Sequence, residues 1–375
     1  MHTAVYRMLV RFSFVLCSIA AVHEVRADIG ADLQLELNKV IAQIPAPGGQ
    51  LYVKLSDGTV HSLSTGQFSI VPDKPMTATS PMKMWSISKT FTHVSILMLI
   101  ESGALRPDRT LSSIEEEFPD LYQGALKHYP GSGAVTVRDL LSHTSGIIDY
   151  MVLPEYLSNW NQVLSPGAII LTASKHQDSV RPRTRSRYSN TAMLILARII
   201  ESLSGMPYER YIEERIIRPI GLKHTAVAAQ NDGWGPVHGY DSGFREVTTS
   251  VSPSMVWGTG AVISCASDIG LWFEAVLHAK VLAPATAKDI FIPVKLENGA
   301  DADYGLGFHI KKYANGFELY GHGGGPLKGN SATMQYSPQL KAYVVAMANG
   351  ASGNANVLLG AIGWQRIAEY NRGKK

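Results

Sequence analysis

The stretch Ser86-Ile87-Ser88-Lys89-Thr90, continued by Phe91-Thr92-His93-Val94-Ser95-Ile96-Leu97-Met98-Leu99-Ile100, joins a hydroxyl and an amine to a largely apolar run. On a helix, positions i and i+3 share a face, so Ser86 and Lys89 would point the same way. That is the minimum geometry for a nucleophile that carries its own base. A run apolar nearly all round predicts a core helix. Burial there would hold Ser86 at a helix N-terminus, where backbone N–H groups favour developing negative charge. It would also desolvate Lys89 and favour the neutral, proton-accepting amine. Bringing a lysine from about 10.4 to near 7 costs about 4–5 kcal/mol, so other groups must share the task. The reaction class these residues predict is acyl transfer through a covalent serine ester.

Taken alone, Ser-x-x-Lys is a weak signal, because roughly one match arises by chance in a chain this long. A second match, Ser80-Pro81-Met82-Lys83, lies just upstream. Its proline suits a turn or a helix start, but no long apolar helix follows it directly. Ser86 is therefore the predicted nucleophile.

Two more patterns supply partners. Tyr188-Ser189-Asn190 opens the helical run that begins Thr191-Ala192-Met193-Leu194. A tyrosine held beside a lysine would have its pKa lowered and could shuttle the serine proton, while Asn190 would bond a substrate amide or orient the lysine. A similar triplet, Tyr313-Ala314-Asn315, is better read as a hairpin turn, since Asn315-Gly316 is a strong turn pair. The third pattern, Gly321-His322-Gly323-Gly324-Gly325, follows a predicted strand at 317–320. Glycines there allow a ligand to approach the backbone and leave N–H groups for an oxyanion.

In this order the three patterns resemble those of the serine β-lactamase and penicillin-recognising enzyme family, in its class C β-lactamase and D-alanyl-D-alanine carboxypeptidase branch. The resemblance extends to Leu140-Leu141-Ser142-His143-Thr144-Ser145-Gly146-Ile147, Ile217-Arg218-Pro219-Ile220-Gly221-Leu222 and Tyr304-Gly305-Leu306-Gly307-Phe308. It implies an α+β, β-lactamase/transpeptidase-like fold, an antiparallel sheet flanked by helices with an inserted all-α lobe. By the same resemblance Ser86 is the nucleophile and Lys89 its proton-handling partner. Tyr188 is general base in acylation and proton donor to the leaving group. Asn190, His322 and Gly324 contact substrate, and the backbone N–H groups of Ser86 and Gly325 form the oxyanion hole. His143 is implied to be structural. No Gly-x-Ser-x-Gly elbow occurs, which counts against an α/β-hydrolase.

One departure bears on substrate. Where the branch's β-lactamases carry Lys-Thr-Gly, this chain has His322-Gly323-Gly324. A histidine, mostly neutral at pH 7, grips a carboxylate less firmly than a lysine. Efficient β-lactamase activity is thus not expected. The expected substrate is a D-amino-acid peptide with a D-Ala-D-Ala-like end, with an esterase, a weak β-lactamase or a non-catalytic peptidoglycan-binding relative as alternatives. The partner is then a small peptide, β-lactam or ester, with no metal and no organic cofactor.

Bulk properties are consistent with this reading. Arg7 and Arg11 precede a short apolar core at 12–22, and Val25-Arg26-Ala27 offers a cleavage site, so residues 1–27 read as a signal peptide. The apolar run is too short for a bilayer-spanning helix, and export to the periplasm or medium without a stable membrane anchor is expected. The formal charge is +3 and falls to +1 without residues 1–27, which gives no reason to expect nucleic acid. With Cys17 removed, Cys265 is the remaining cysteine, so no intrachain disulfide is expected.

The remaining chain reads as a helix at 31–44, then a hairpin around Asp57-Gly58. The Ser86 helix ends at Gly103. Residues 105–250 read as an all-α lobe, including helices at 137–141, 191–202 and 208–217, with Glu115-Glu116-Glu117 as a solvated face. Strands return near 308–310, 317–320, 334–336 and 342–347, before a last helix at 357–368. Residues 28–104 and 251–375 would form one sheet lobe, and a cleft between the lobes would hold the substrate.

Overall fold

In the computed structural model, described for residues 29–373 except 130, 177–179, 230–232, 326–327 and 351–354, one antiparallel sheet carries the architecture. The expected signal segment lies outside the described residues. Helix α1 (Ile29–Ile41) leads into β1 (Gly48–Lys54) and β2 (Val60–Ser69), which form the expected hairpin, with Gly58 at φ 88° in its turn. Short strands β3 (Lys74–Pro75) and β4 (Met82–Lys83) follow. A 3₁₀ turn, Trp85–Ile87, then feeds helix α2 (Ser88–Glu101).

Between α2 and the C-terminal strands the chain is mostly helical, and α3 (Asn190–Ser204) is the longest helix of that segment. It is not all helix, however. Strand β5 (Ala226–Val227) pairs with β6 (Val262–Ser264), which in turn pairs with β4. Two residues are too short to carry a period-2 pattern, so nothing in the sequence marked β5. Helix α4 (Pro253–Gly260) precedes β6 and α5 (Ala266–Leu277) follows it. Strands β7 (His309–Lys312), β8 (Glu318–Gly324), β9 (Ser331–Ser337) and β10 (Ala342–Ala348) complete the sheet before α6 (Ala355–Gly373). The strand order is β3-β2-β1-β10-β9-β8-β7.

Strand β10 is buried along its whole length and sits at the centre of the sheet. Its alternation explains the layers, since successive side chains point to opposite faces. Val344, Ala346 and Ala348 pack with Leu33 and Leu37 of α1 and Leu359 and Ile367 of α6. Tyr343, Val345 and Met347 face Trp272 and Phe273 of α5 in a second cluster, which runs on into Leu194 and Leu196 of α3. The helical segment and the sheet thus share one buried cluster. Each fully buried aliphatic side chain in it contributes about 1.5–3 kcal/mol.

One surface expectation fails. Glu116 and Glu117 are exposed, but Glu115 is buried, and its carboxylate accepts the N–H groups of Leu126 at 2.5 Å and Lys127 at 3.2 Å. It serves the otherwise unpaired N–H groups of a following turn, a task for which a carboxylate is well suited. No described helix is long and apolar enough to cross a membrane.

Candidate active site

The Ser86 segment is set by a strained backbone. Trp85 adopts φ 45°, unfavourable for a bulky residue. Tertiary contacts hold it there: its indole Nε1 donates to Asn330 O at 3.0 Å, and its ring meets the Trp234 ring edge-on at 5.4 Å. Ser86, in the 3₁₀ turn, and Lys89, in the first turn of α2, come together as the i, i+3 spacing predicts. Lys89 Nζ donates to Ser86 Oγ at 2.9 Å and to Thr259 O of α4 at 2.9 Å.

Lys89 is 1% exposed, and burial pushes its pKa down to about 7, against the pull of the Asp149 carboxylate. The amine is therefore partly neutral near pH 7. Asp149 is pushed up by its own burial, with Met151 N–H, Asn190 and Lys89 working the other way. Burial thus drives both members of this pair towards their neutral forms, as low polarity around charge must.

Tyr188 lies alongside, with its ring centre 5.0 Å from Lys89 Nζ. Its phenol runs against the sequence expectation. Burial raises its pKa well above the ordinary value and Tyr304 adds to this, while a hydrogen bond to the Ser86 side chain only partly offsets them. The phenol is therefore held protonated, beside a Lys89 amine whose pKa burial pushes down. Taking a phenolate out of water costs more than a neighbouring cation returns.

Asn190 is the first residue of α3, whose N-terminus is capped by Ser189 Oγ accepting Ala192 N–H at 3.1 Å. Its amide Nδ2 donates to Asp149 Oδ2 at 2.8 Å, and its Oδ1 is buried without a hydrogen-bond partner. His143 is also drawn in. It is fully buried, at φ 55°, its Nδ1 accepts Ser189 N–H at 3.3 Å, and its ring centre lies 4.5 Å from that of Tyr188. It packs the tyrosine, in keeping with a structural role.

Strand β8 brings the glycine-rich segment to the backbone at Ser86. At Gly324 an added Cβ would stand 2.0 Å from Met84 O and 3.4 Å from Ser86 N, so only glycine lets the strand lie against this backbone. Gly325 follows at φ 94°, in the left-handed region that favours glycine. His322 is buried, and its Nδ1 lies 2.7 Å from Gly323 O. A carbonyl only accepts, so Nδ1 carries the proton and Nε2 is left as an acceptor. Burial, reinforced by Lys89, pushes the His322 pKa down to about 3. The ring is thus held neutral far more firmly than an ordinary histidine.

The decoys separate cleanly. Ser80 Oγ is engaged by Thr77, 2.9 Å from its Oγ1, and Lys83 turns to Thr248 O and the Trp234 ring. Asn315 Oδ1 accepts Phe317 N–H in a turn, as expected. Asp149, Thr259 and Asn330 also shape the site. They lie far from Ser86 in sequence and in no recognisable spacing, so no local signal marked them. Among the described residues no cluster of His, Cys, Asp and Glu is arranged to hold a metal.

A family model described as Beta-lactamase matches residues 37–368. The chain belongs to the Beta-lactamase family. Penicillin-binding protein 4* of Bacillus subtilis is 28% identical over 281 residues, covering 70% of this chain and 59% of that protein. D-aminopeptidase of Brucella anthropi is 24% identical over 335 residues, covering 83% of this chain and 58% of that protein. This chain therefore spans little more than half the length of either relative. Among solved structures, D-amino acid amidase from Ochrobactrum anthropi SV3 matches with a TM-score of 0.76 at 22% identity, over 93% of this chain and 99% of that one. D-stereospecific amidohydrolase from Streptomyces sp. matches with a TM-score of 0.72 at 24% identity, over 91% and 97% of the two chains. These likenesses establish the α+β β-lactamase/penicillin-binding-protein fold.

Proposed function

We propose that this protein is a serine hydrolase that opens an amide or ester bond in a small D-amino-acid-containing substrate through a Ser86 acyl-enzyme. The observation that carries the reading is the 2.9 Å contact between Ser86 Oγ and a buried Lys89 amine whose pKa is near 7. Ser86 Oγ attacks the carbonyl as its proton passes to Lys89 Nζ. The oxyanion is met by the backbone N–H groups of Ser86 and Gly325. Tyr188, held as a phenol, hands a proton to the departing nitrogen or oxygen and regains one from Lys89. Water then releases the acyl group by the reverse proton path. Asn190, His322 and Gly324 border the substrate.

His322 supports one choice within this class. A C-terminal carboxylate, as in a D-Ala-D-Ala end or a β-lactam, needs a positive partner, and a neutral ring presenting a lone pair offers none. A D-amino-acid amide or an N-terminal D-residue fits this position better, in line with the names of two relatives, a D-aminopeptidase and a D-stereospecific amidohydrolase. Export remains part of the proposal on the strength of the N-terminal pattern.

The test is a substrate panel of a D-amino-acid amide, a D-Ala-D-Ala peptide, a short nitrophenyl ester and a chromogenic cephalosporin. It is read with intact-mass detection of the acyl-enzyme in wild type and Ser86→Ala. The amide should turn over fastest, with a covalent adduct on Ser86. Unchanged turnover in Ser86→Ala would overturn the reading.

A further inference from the structure

Trp85 stands where the two expected oxyanion donors meet. The peptide that joins it to Ser86 carries the Ser86 N–H, so the Trp85 backbone sets the direction of that donor. Gly324 comes against the same peptide from β8, since a Cβ built there would stand 3.4 Å from Ser86 N. The peptide that follows Gly324 carries the Gly325 N–H. Two donors far apart in sequence are thus neighbours, and one side chain braces both.

That side chain is the Trp85 indole, 1% exposed. Its Nε1 donates to Asn330 O at 3.0 Å, and its Cδ1, the next ring atom, would lie 3.3 Å from a Cβ at Gly325. One edge of the ring therefore touches both feet of the β8–β9 connection, Gly325 after β8 and Asn330 before β9. The Trp234 ring meets it edge-on at 5.4 Å and is itself anchored, donating from Nε1 to Val251 O at 2.6 Å. Filling space alone would be met in an ordinary backbone conformation, whereas Trp85 is held at φ 45°.

We propose that Trp85 is a positioning residue for the Ser86 reaction, whose peptide aims the Ser86 N–H and whose indole, bonded to Asn330 O, holds the Gly325 N–H beside it. As Ser86 Oγ bonds the carbonyl carbon, its proton passes to Lys89 Nζ and the carbonyl π pair moves onto oxygen. Both donors must already be in place, because preorganised donors meet new charge without a reorganisation cost. The indole does not touch substrate; it acts through the backbone of Gly325 and Asn330. This rests on the Ser86 acyl-enzyme reading above.

Three variants separate positioning from packing. Trp85→Phe keeps a ring and removes the N–H that serves Asn330 O. Trp85→Gly accepts φ 45° without strain and removes the ring. Trp234→Phe is the control, a buried indole of the same cluster whose N–H serves Val251 O instead of the β8–β9 connection.

The experiment measures acylation by the nitrophenyl ester, affinity for an arylboronic acid and the thermal midpoint. The boron takes Ser86 Oγ and presents a hydroxyl at the oxyanion position, so the boronate reads the donors with no leaving group involved. Losing one such donor outright costs about 10²- to 10³-fold, so acylation and boronate affinity should both fall about tenfold in Trp85→Phe and about 100-fold in Trp85→Gly. Trp234→Phe should lower the thermal midpoint comparably yet leave both readouts near wild type. If wild type forms neither adduct, the Ser86 reading fails first. If wild type reacts, the role of Trp85 is overturned by Trp85→Phe matching wild type, by acylation falling while boronate affinity stays, or by Trp234→Phe losing as much. Should neither Trp85 variant fold, the wild-type Trp85 indole N–H resonance decides: it should shift when the boronate binds, and an unmoved resonance overturns the role.

Discussion

Two Ser-x-x-Lys tetrads lie six residues apart, and both lysines are 1% exposed with pKa values pushed down to about 7. Only one makes a pair. In the Ser86 tetrad the chain winds as a 3₁₀ turn running into α2, so residues three apart share a face and Lys89 reaches Ser86 Oγ. In the Ser80 tetrad the lysine falls in strand β4, where successive side chains alternate. Its serine bonds Thr77, and its amine goes to Thr248 O with the Trp234 ring 4.1 Å away. Burial alone therefore does not pair a lysine with a serine. A depressed pKa meets a hydroxyl only where the backbone period places a serine beside the amine.

Removing each amine is the sharpest way to break this comparison. Lys89→Met should cut the acylation rate about 10³-fold or more, while Lys83→Met should leave it within about threefold. Stopped-flow acylation by an ester reads both. Equal losses would mean that Lys83, through Trp85, is as close to the chemistry as Lys89.

Tyr188→Phe comes next. Acylation should fall about 10²- to 10³-fold, with the thermal midpoint little changed because the ring and its packing on His143 remain. A near-wild-type rate would take the phenol out of the proton path. Smaller still is the effect of restoring a cation in β8. His322→Lys should shift preference towards carboxylate-bearing substrates by about tenfold relative to neutral amides, read as a ratio of kcat/KM values. No shift would mean that position 322 does not face that end of the substrate.

The smallest effect is thermodynamic and covers both tetrads. Lys83 and Lys89 have folded pKa values near 7, well below the unfolded value. Between about pH 7 and 10 the unfolded chain therefore binds more protons than the folded one, and stability rises with pH. From pH 7 to 9.5 the gain should be about 2–3 kcal/mol per lysine, measured by urea denaturation. Lys83→Met should remove about half of the rise. A flat profile would mean that both amines stay charged in the fold.

Local pattern carried much of the fold. The Asp57-Gly58 and Asn315-Gly316 turns, the helix at 137–141 and the long apolar helices all occur where side-chain period and turn chemistry put them, give or take a few residues. What local pattern misread depended on distant partners. Glu115 looks like part of a solvated run until the turn at Leu126 folds onto it. The Tyr188 phenol looks like an acid strengthened by a cation until the surrounding burial is counted.

The amino-acid sequence by itself determined which groups this protein has for its chemistry: a serine and an amine one helical turn apart, a tyrosine and an amide opening a second helix, and a strand end of glycines. Helix and strand periods act over a few residues, so such spacings are legible without coordinates. Only the tertiary structure decided their electrical states and their supports. Lys89 meets Thr259 O across 170 residues, and Asp149 meets Asn190 across 41. Desolvation belongs to everything packed around a group, and no short stretch of sequence records it.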